Sequence, residues 1–482
     1  MDNTLFYGDN LKVLKEYIPD NSIDLIYLDP PFNSKADYNV LFKEPTGRPS
    51  KAQITAFEDT WHWTDETEKT FKTIIDEGPV DVVEMMRSLR KFVGQQNDVM
   101  AYLTMMCIRL LELKRVLKDT GTIYLHCDPT ASHYIKILMD VIFGKKNFRN
   151  EIVWCYRGAG YPRKDFGRRH DIIFRYSKTS DYIFKLDDVR EEYAEATKER
   201  FKHYIGNIRG DKDFGLQKLH PLGKQPDDWW QIQPIAPSAK ERLSYPTQKP
   251  EALLEIIIKA SSNEGSIVLD PFCGCGTTIA VAHKFKRRWV GIDITHLAIN
   301  AIKLRLKKMF GIEQKIDYKV IGEPEDLEGA KELSTNNRYQ FQWWALSLID
   351  ARPYKDKKKG ADTGIDGFLY FSHEKDVVKP AIVQVKSGNI SVKDIRELGH
   401  VIDREEAELG ILITLEPPTK HMKSEAIIKG FYHSPIFNKD YPKIQIVTIS
   451  ELLSGKKPDV PTTISPYREA KPTSKKYPKL GI

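Results

Sequence analysis

The sequence predicts an α/β protein in which a doubly wound sheet domain is followed by a smaller α/β domain. Short apolar runs end in an acid at Asp29, Asp270 and Asp293. Apolar residues at helical spacing separate such runs, as alternating strands and helices require. The chain of 482 residues is also too long for one hydrophobic core, so we expect two or three domains.

The first of these runs, Ile23–Leu28, leads directly into Asp29-Pro30-Pro31-Phe32. The run is short, β-branched and stopped by prolines, which is typical of a buried parallel strand. An acid at the carboxyl edge of such a strand lies where open α/β sheets bind ligands. Asp29 and the Pro30 carbonyl could accept the two N–H groups of an exocyclic amine while the base stacks on Phe32. An ordinary Pro-Pro turn is the alternative for the tetrapeptide alone.

The second motif follows a strand that ends at Asp270. It is Pro271-Phe272-Cys273-Gly274-Cys275-Gly276-Thr277-Thr278, and it runs directly into a helix. Its two glycines let the backbone pass close to a bound molecule. One helix later a further strand ends at Asp293, at the position where folds of this kind bind ribose hydroxyls.

Three cofactors compete for this loop. A P-loop would need Gly-Lys-Ser/Thr where the chain has Gly276-Thr277-Thr278. A dinucleotide would need a third glycine at Thr278 or Ile279. S-adenosylmethionine remains, because its cationic methionine portion suits Asp270 and its ribose suits Asp293.

Two regions carry neither motif. Residues 45–97 are rich in Gly, Pro, Thr and charged residues, and we interpret them as an insertion over the site. Residues 151–240 mix strand-like pieces with basic residues among glycines and aromatic rings, which suits phosphate binding and base reading. We therefore interpret 151–240 as a candidate target-recognition region, with a variable loop region as the alternative.

Taken together, the motifs resemble those of amino-group DNA methyltransferases over residues 1–325. The Asp29 tetrapeptide resembles their catalytic motif and the Asp270 segment their cofactor loop, while Tyr245–Pro250 is similar to the segment over the cofactor's methionine end. The catalytic motif precedes the cofactor loop, with the recognition region between them, and this order resembles the β group of the family. An acid first and Phe fourth resemble adenine N6 enzymes more than cytosine N4 enzymes, which usually carry Ser in the first position.

The resemblance implies a Rossmann-like domain that transfers a methyl group from S-adenosylmethionine to a flipped adenine in double-stranded DNA, within a restriction-modification system. The implied catalytic residues are Asp29, Pro30, Pro31 and Phe32. The implied cofactor-binding residues are Thr247, Lys249, Asp270, Pro271, Phe272, Gly274, Gly276, Thr277 and Asp293. Cytosine N4 methylation and a non-catalytic DNA-binding protein remain as alternatives.

The last third reads as a separate domain at 337–455, after a linker at 326–336 and before a basic tail at 456–482. Gln384 and Lys386 share one face of a predicted strand, and Asp366 lies on the preceding strand. This set resembles Mrr-like PD-(D/E)XK restriction nucleases. The resemblance implies Mg²⁺ bound by Asp366 and Gln384, with Lys386 acting on the attacking water. Gln342 stands near the place of a helix glutamate common in that family, and a degenerate nuclease fold that only binds DNA is the alternative.

Composition adds weaker expectations. The net charge of +7 favours polyanionic partners such as DNA. No apolar run approaches the twenty residues of a membrane span, so we expect a cytoplasmic protein without a membrane partner. The five cysteines contain no Cys-X-X-Cys pair and predict free thiols. A homodimer is one assembly that the sequence allows.

Overall fold

The computed structural model describes most of the chain, with side chains for residues 1–31, 62–158, 162–202, 218–243, 245, 247–354, 364–374 and 377–463 and backbone for 37–43, 49–58, 206–209, 212–216 and 464. The strands up to residue 325 are β1 Thr4–Tyr7, β2 Ile23–Leu28, β3 Asp37–Lys43, β4 Pro49–Glu58, β5 Leu117–Cys127, β6 Phe148–Cys155, β7 His170–Ser177, β8 Gly206–Arg209, β9 Lys212–Leu216, β10 Trp229–Gln231, β11 Ile267–Asp270, β12 Arg288–Asp293 and β13 Lys319–Ile321. The helices there are α1 Asn10–Tyr17, α2 Asp65–Glu77, α3 Val80–Val93, α4 Asp98–Val116, α5 Ser132–Met139, α6 Glu195–Arg200, α7 Glu251–Ser261, α8 Thr277–Lys284 and α9 His296–Phe310.

The first domain is built on a mixed sheet in the order β10-β6-β7-β5-β2-β11-β12-β1-β13. Strand β7 runs antiparallel to both of its neighbours, and the other pairs in this sheet are parallel. Strand β2 lies beside β11, with Leu25 opposite Val268 and Ile26 opposite Leu269. The two predicted motifs therefore leave neighbouring strands at the same edge of the sheet.

Both faces of the sheet are covered, as the predicted doubly wound arrangement requires. In β2, Ile26 and Leu28 pack into one apolar cluster with α4, while Leu25 and Tyr27 pack into a second cluster with α7. This explains why β2 is apolar at nearly every position, as is usual for a strand buried on both sides. Each such side chain stabilises the fold by roughly 1.5–3 kcal/mol.

The boundaries of two predicted segments in the first domain differ from the structure. The predicted insertion at 45–97 contributes α2 and α3 to the core through Phe71, Ile74 and Met86. The candidate recognition region begins inside the main sheet, because β6 and β7 are two strands of that sheet. A narrow apolar stripe among many charged residues concealed the two helices, and strand pairing across a long loop is not visible in sequence.

The second domain contains α10 Leu327–Asn336, α11 Arg338–Ser347, β14 Arg352–Pro353, β15 Gly367–Glu374, β16 Val377–Lys386, α12 Val392–Arg404, β17 Gly410–Thr414, α13 Lys420–Ile428, β18 Phe431–Ser434, β19 Lys439–Pro442, β20 Ile444–Thr448, α14 Ile449–Leu453 and β21 Thr463–Ile464. Its sheet has the order β14-β15-β16-β17-β20, with β21 paired to β15. The predicted linker at 326–336 is thus mostly helix α10, and the start of the predicted tail pairs with this sheet. Residues 465–482 lie outside the described residues.

No helix in the described ranges is long and apolar enough to cross a membrane.

Candidate active site

Three carboxylates mark the edge where β2, β11 and β12 end. Asp29 follows β2, while Asp270 and Asp293 are the last residues of β11 and β12. All three line one pocket. The predicted residues that line this pocket are Asp29, Pro31, Thr247, Lys249, Asp270, Pro271, Phe272, Gly274, Thr277 and Asp293. Pro30 is buried and does not line it, and Phe32 lies outside the described residues.

The glycine loop is shaped by backbone conformations that side chains rarely adopt. Gly274 and Gly276 have φ values of +48° and +72°. A Cβ atom at Gly276 would lie 2.7 Å from the Ile302 side chain. Gly276 does not line the pocket. Its left-handed backbone forms the turn from which α8 begins.

Asp293 braces this loop. Its Oδ2 accepts a hydrogen bond from the Gly274 backbone N–H at 3.0 Å, and its Oδ1 accepts one from the Thr295 N–H at 2.9 Å. Burial raises the pKa of the Asp293 carboxyl to about 6. The residue therefore holds the loop as well as offering a carboxylate to the pocket.

Asp270 is the most strongly perturbed acid at this edge. Burial raises its pKa to about 7, although its Oδ1 accepts a hydrogen bond from the Phe272 N–H at 3.1 Å. A buried carboxylate without a counter-charge is costly, and a cationic ligand would offset that cost. The pocket chemistry therefore suits a positively charged ligand.

Asp29 is held by Lys249, which the sequence assigned to the cofactor. The Lys249 ammonium Nζ lies 2.5 Å from Asp29 Oδ2. Asp29 Oδ1 is buried and has no hydrogen-bond partner among the described residues. An unpaired buried acceptor gains more from a new donor than a solvated one does.

A buried histidine lies behind Asp29. His126 Nδ1 is 3.8 Å from Asp29 Oδ1 and 3.0 Å from the Tyr27 hydroxyl oxygen, while its Nε2 is 3.2 Å from Asp171 Oδ2. Burial acts to raise the pKa of Asp171, but its interactions with His126, Lys249 and Tyr156 together outweigh burial, so the pKa is lowered overall. If His126 Nε2–H donates to Asp171, Nδ1 accepts the Tyr27 O–H. The contacts of His126 with Tyr27 and Asp171 thus fix the position of its ring next to Asp29.

The sequence reasoning missed one wall of the pocket. Asp9, Asn10 and Arg109 also line it. Asn10 Nδ2 donates to the Pro271 carbonyl at 2.8 Å, and Arg109 Nε donates to Asn10 Oδ1 at 2.6 Å. The available signal was that Asp9 and Asn10 follow a strand, but the position of β1 beside β12 could not be read from the chain.

A second cleft lies in the C-terminal domain. Asp366, Gln384 and Lys386 line it together with Gln342. Asp366 accepts hydrogen bonds from Gln342 Nε2 and from the Val385 N–H, both at 2.7 Å. Gln384 Nε2 donates to the Gly364 carbonyl, and its buried Oε1 has no hydrogen-bond partner among the described residues.

This cleft is small and poor in acids. Its volume is about 40 Å³, which is room for only a few water molecules. Lys386 Nζ lies 3.4 Å from Asp394 Oδ1. The described residues contain no group of three or more His, Cys, Asp or Glu side chains that could hold a metal. The two predicted metal ligands in this cleft are thus the carboxylate of Asp366 and the amide oxygen of Gln384.

Comparisons with known proteins separate the same two parts of the chain. Residues 23–304 match the N6/N4 methyltransferase family model described as DNA methylase. Residues 340–454 match a model described as NACHT-associated inactive Restriction Endonuclease 1. The C-terminal domain is therefore similar to restriction-endonuclease-associated domains whose family is described as inactive.

Three full-length relatives are similar to this chain. Type II methyltransferase M.BglII of Bacillus subtilis is 26% identical over 389 residues, which cover 78% of this chain and 85% of the relative. Type II methyltransferase M.HpaI of Haemophilus parainfluenzae is 30% identical over 329 residues, covering 68% and 81%. DNA adenine methyltransferase YhdJ of Escherichia coli (strain K12) is 28% identical over 310 residues, covering 64% and 82%. The chain therefore belongs to the N6/N4 class of S-adenosylmethionine-dependent DNA methyltransferases.

Proposed function

We propose that this protein methylates the N6 amino group of adenine at specific sites in double-stranded DNA. The carrying observation is Asp29 Oδ1, a buried acceptor with no hydrogen-bond partner among the described residues, next to a pocket that suits a cation. An exocyclic amine supplies the N–H donor that this acceptor lacks. One relative is named a DNA adenine methyltransferase, which also supports adenine over cytosine.

The chemistry divides between binding and orientation. S-adenosylmethionine supplies an electrophilic methyl group when bound. Asp270 and Asp293 would hold its cationic and ribose portions, and Asp29 Oδ1 would accept an N–H of the flipped base. Lys249, on Oδ2, limits rotation of the Asp29 carboxylate. Orienting the amino nitrogen toward the methyl carbon supplies much of the rate, and the surplus proton leaves after transfer.

The candidate recognition region offers groups for DNA. Phe166 is 98% exposed and stands among Arg163, Lys164 and Arg168 in the sequence. Exposed cations next to an exposed ring suit phosphate contact and base stacking. We propose that this segment contacts the duplex and contributes to sequence recognition within a restriction-modification system.

The proposal is tested by the chemical identity of the product. The purified protein is incubated with unmethylated genomic DNA and isotopically labelled S-adenosylmethionine, and the DNA is digested to nucleosides for mass spectrometry. Label in N6-methyladenine is the expected result. Label in N4-methylcytosine would show that the target base is cytosine and not adenine. Cofactor binding without label in DNA would favour a non-catalytic DNA-binding protein.

Cofactor affinity is expected to depend on pH through Asp270. Its pKa is about 7 without ligand, and the ionised form attracts the cationic cofactor. Affinity should therefore be full above that pKa and weaken as pH falls, by up to about tenfold per pH unit in the limit where only the ionised form binds. Calorimetric titrations across the range test this, with Asp270→Asn as the control that should lose most of the dependence. Constant wild-type affinity between about pH 8 and 5.5 would contradict the role.

A second candidate function is Mg²⁺-dependent DNA cleavage by the Asp366 cleft. Gln384 Oε1 lies in the same cleft as Asp366 and has no hydrogen-bond partner within the described part of the chain, which favours this function because both side chains offer oxygen ligands of the kind that Mg²⁺ prefers. The ion would polarise a phosphate, and Lys386 would orient the attacking water. The hydrogen bond from Gln342 to Asp366 and the single carboxylate weigh toward low metal affinity.

We expect unmethylated duplex DNA to be cut slowly in Mg²⁺, and Asp366→Ala and Lys386→Ala each to remove the cutting while methyl transfer is retained. Gel analysis of supercoiled plasmid measures this. Lys393→Ala, a change on the solvent side of α12, serves as the control. Wild-type protein that binds DNA without cutting it in Mg²⁺ or Mn²⁺ would leave the domain with a DNA-binding role only.

A further inference from the structure

Helix α11 of the C-terminal domain packs against the wall of the methyltransferase pocket. Trp343 is 8% exposed and belongs to a buried apolar cluster with Tyr245, Cys275, Leu297 and Ala298. Tyr245 and Cys275 both line the cofactor pocket. A residue from outside the matched methyltransferase segment thus belongs to the same apolar cluster as two residues that line the cofactor pocket.

Tyr245 connects this apolar cluster with the glycine loop. Its ring carbon Cε1 is 3.5 Å from the position that a Cβ atom would take at Gly274. The ring therefore lies beside the loop at Gly274. Loss of the Trp343 ring would leave a void in the apolar cluster that contains Tyr245, and packed interiors respond to such voids by shifting side chains.

A second contact from the same helix face reaches the pocket by another route. Gln340 Oε1 accepts a hydrogen bond from the His296 backbone N–H at 3.3 Å. The His296 ring stacks on Tyr7, with ring centroids 3.7 Å apart. Tyr7 directly precedes Gly8, which lines the pocket. Since Gln340 and Trp343 are three residues apart, they lie on one face of α11.

The neighbouring face of α11 belongs to the other cleft. Gln342 donates to Asp366, and Arg338 and Phe341 line the same cleft. Helix α11, which is ten residues long, therefore contacts residues around the cofactor pocket on one side and lines the Asp366 cleft on the other. A shift of this helix would be felt at both places.

We propose that Trp343 is a positioning residue of the cofactor site, so that the C-terminal domain completes the pocket and α11 links cofactor binding to the Asp366 cleft. The proposal rests on the cofactor pocket of the proposed function but requires neither a particular target base nor cleavage. This coupling is reciprocal. If the contacts of α11 raise the affinity for the cofactor, the bound cofactor stabilises α11 in the same position.

Adjacent tryptophans offer a matched comparison. Trp343 faces the pocket cluster, whereas Trp344 packs in the core of the C-terminal domain. Calorimetric titration with S-adenosylmethionine should give a dissociation constant about tenfold higher for Trp343→Ala, with partial recovery in Trp343→Phe. Trp344→Phe should stay within about twofold of wild type. In steady-state assays Trp343→Ala should raise KM for the cofactor and leave kcat nearly unchanged.

Hydrogen exchange of the wild-type chain provides a test that needs no variant to fold. Adding S-adenosylmethionine should slow exchange in residues 338–347, and the slowing should be absent in Gln340→Ala combined with Trp343→Phe. Unchanged exchange in 338–347 on saturation, or wild-type affinity in a folded Trp343→Ala protein, would overturn the proposal. Failure of the wild-type chain to bind the cofactor at all would instead refute the proposed function.

Discussion

Replacing Asp29 by alanine should reduce methyl transfer by about three orders of magnitude while cofactor affinity stays within a few-fold of wild type. The change removes the acceptor that we assign to the amino group but leaves Asp270 and Asp293 in place. The loss should appear in kcat rather than in the KM for the cofactor. Single-turnover transfer of labelled methyl groups to DNA, with calorimetry for the cofactor, measures both quantities.

The matched control is Asp20→Ala on the loop before β2. The Asp20 side chain is 70% exposed and pairs with Arg115. Exposed ion pairs contribute little, about 0–1 kcal/mol, so this variant should keep full activity. Near-normal transfer by a folded Asp29→Ala protein would remove Asp29 from the mechanism.

Asp270→Asn should weaken S-adenosylmethionine binding by roughly 30- to 100-fold, the equivalent of about 2–3 kcal/mol for a lost charge-assisted contact. The amide oxygen can still accept the Phe272 N–H, so the loop should keep its conformation. Titration of the variant with the cofactor at pH 8 measures the effect. Asp20→Asn is the control, and we expect it to bind as wild type does.

Thermal unfolding separates this loss of binding from misfolding. The folded-state pKa of Asp270, about 7, lies above the ordinary value of 3.8, so the stability that the protonated form contributes is lost as pH rises toward 7. At pH 8 the unliganded wild type therefore carries a buried charge that the variant lacks. The variant should unfold at the same temperature or a higher one, and unfolding at a clearly lower temperature would mean that the loop itself was damaged.

The sequence predicted which acids lie at the sheet edge better than it predicted the order of the strands. Asp29, Asp270 and Asp293 were recognisable because each ends an apolar run, and the structure gathers them around one pocket. The order of the strands was not readable. Nothing local shows that β2 lies beside β11, since their partners Leu25 and Val268 are 243 positions apart.

Side-chain partners across loops were harder still. Lys249 was assigned to the cofactor from its motif, yet its ammonium pairs with Asp29. Its path depends on the preceding turn, where Thr247 has a φ of +58° that few residues adopt. Likewise, Trp343 and Tyr245 belong to one apolar cluster that joins the two domains, and each tryptophan of α11 looks alike in a list of apolar residues.

The central claim is that the Asp29 turn and the glycine loop serve one reaction in one pocket. A crystal structure with sinefungin, an unreactive cofactor analogue, tests it most directly. We predict that the amino-acid portion of the analogue lies near Asp270 and its ribose near Asp293, with the amine that replaces the methyl-bearing sulfur group directed toward Asp29. Analogue density elsewhere, or with that amine directed away from Asp29, would contradict it.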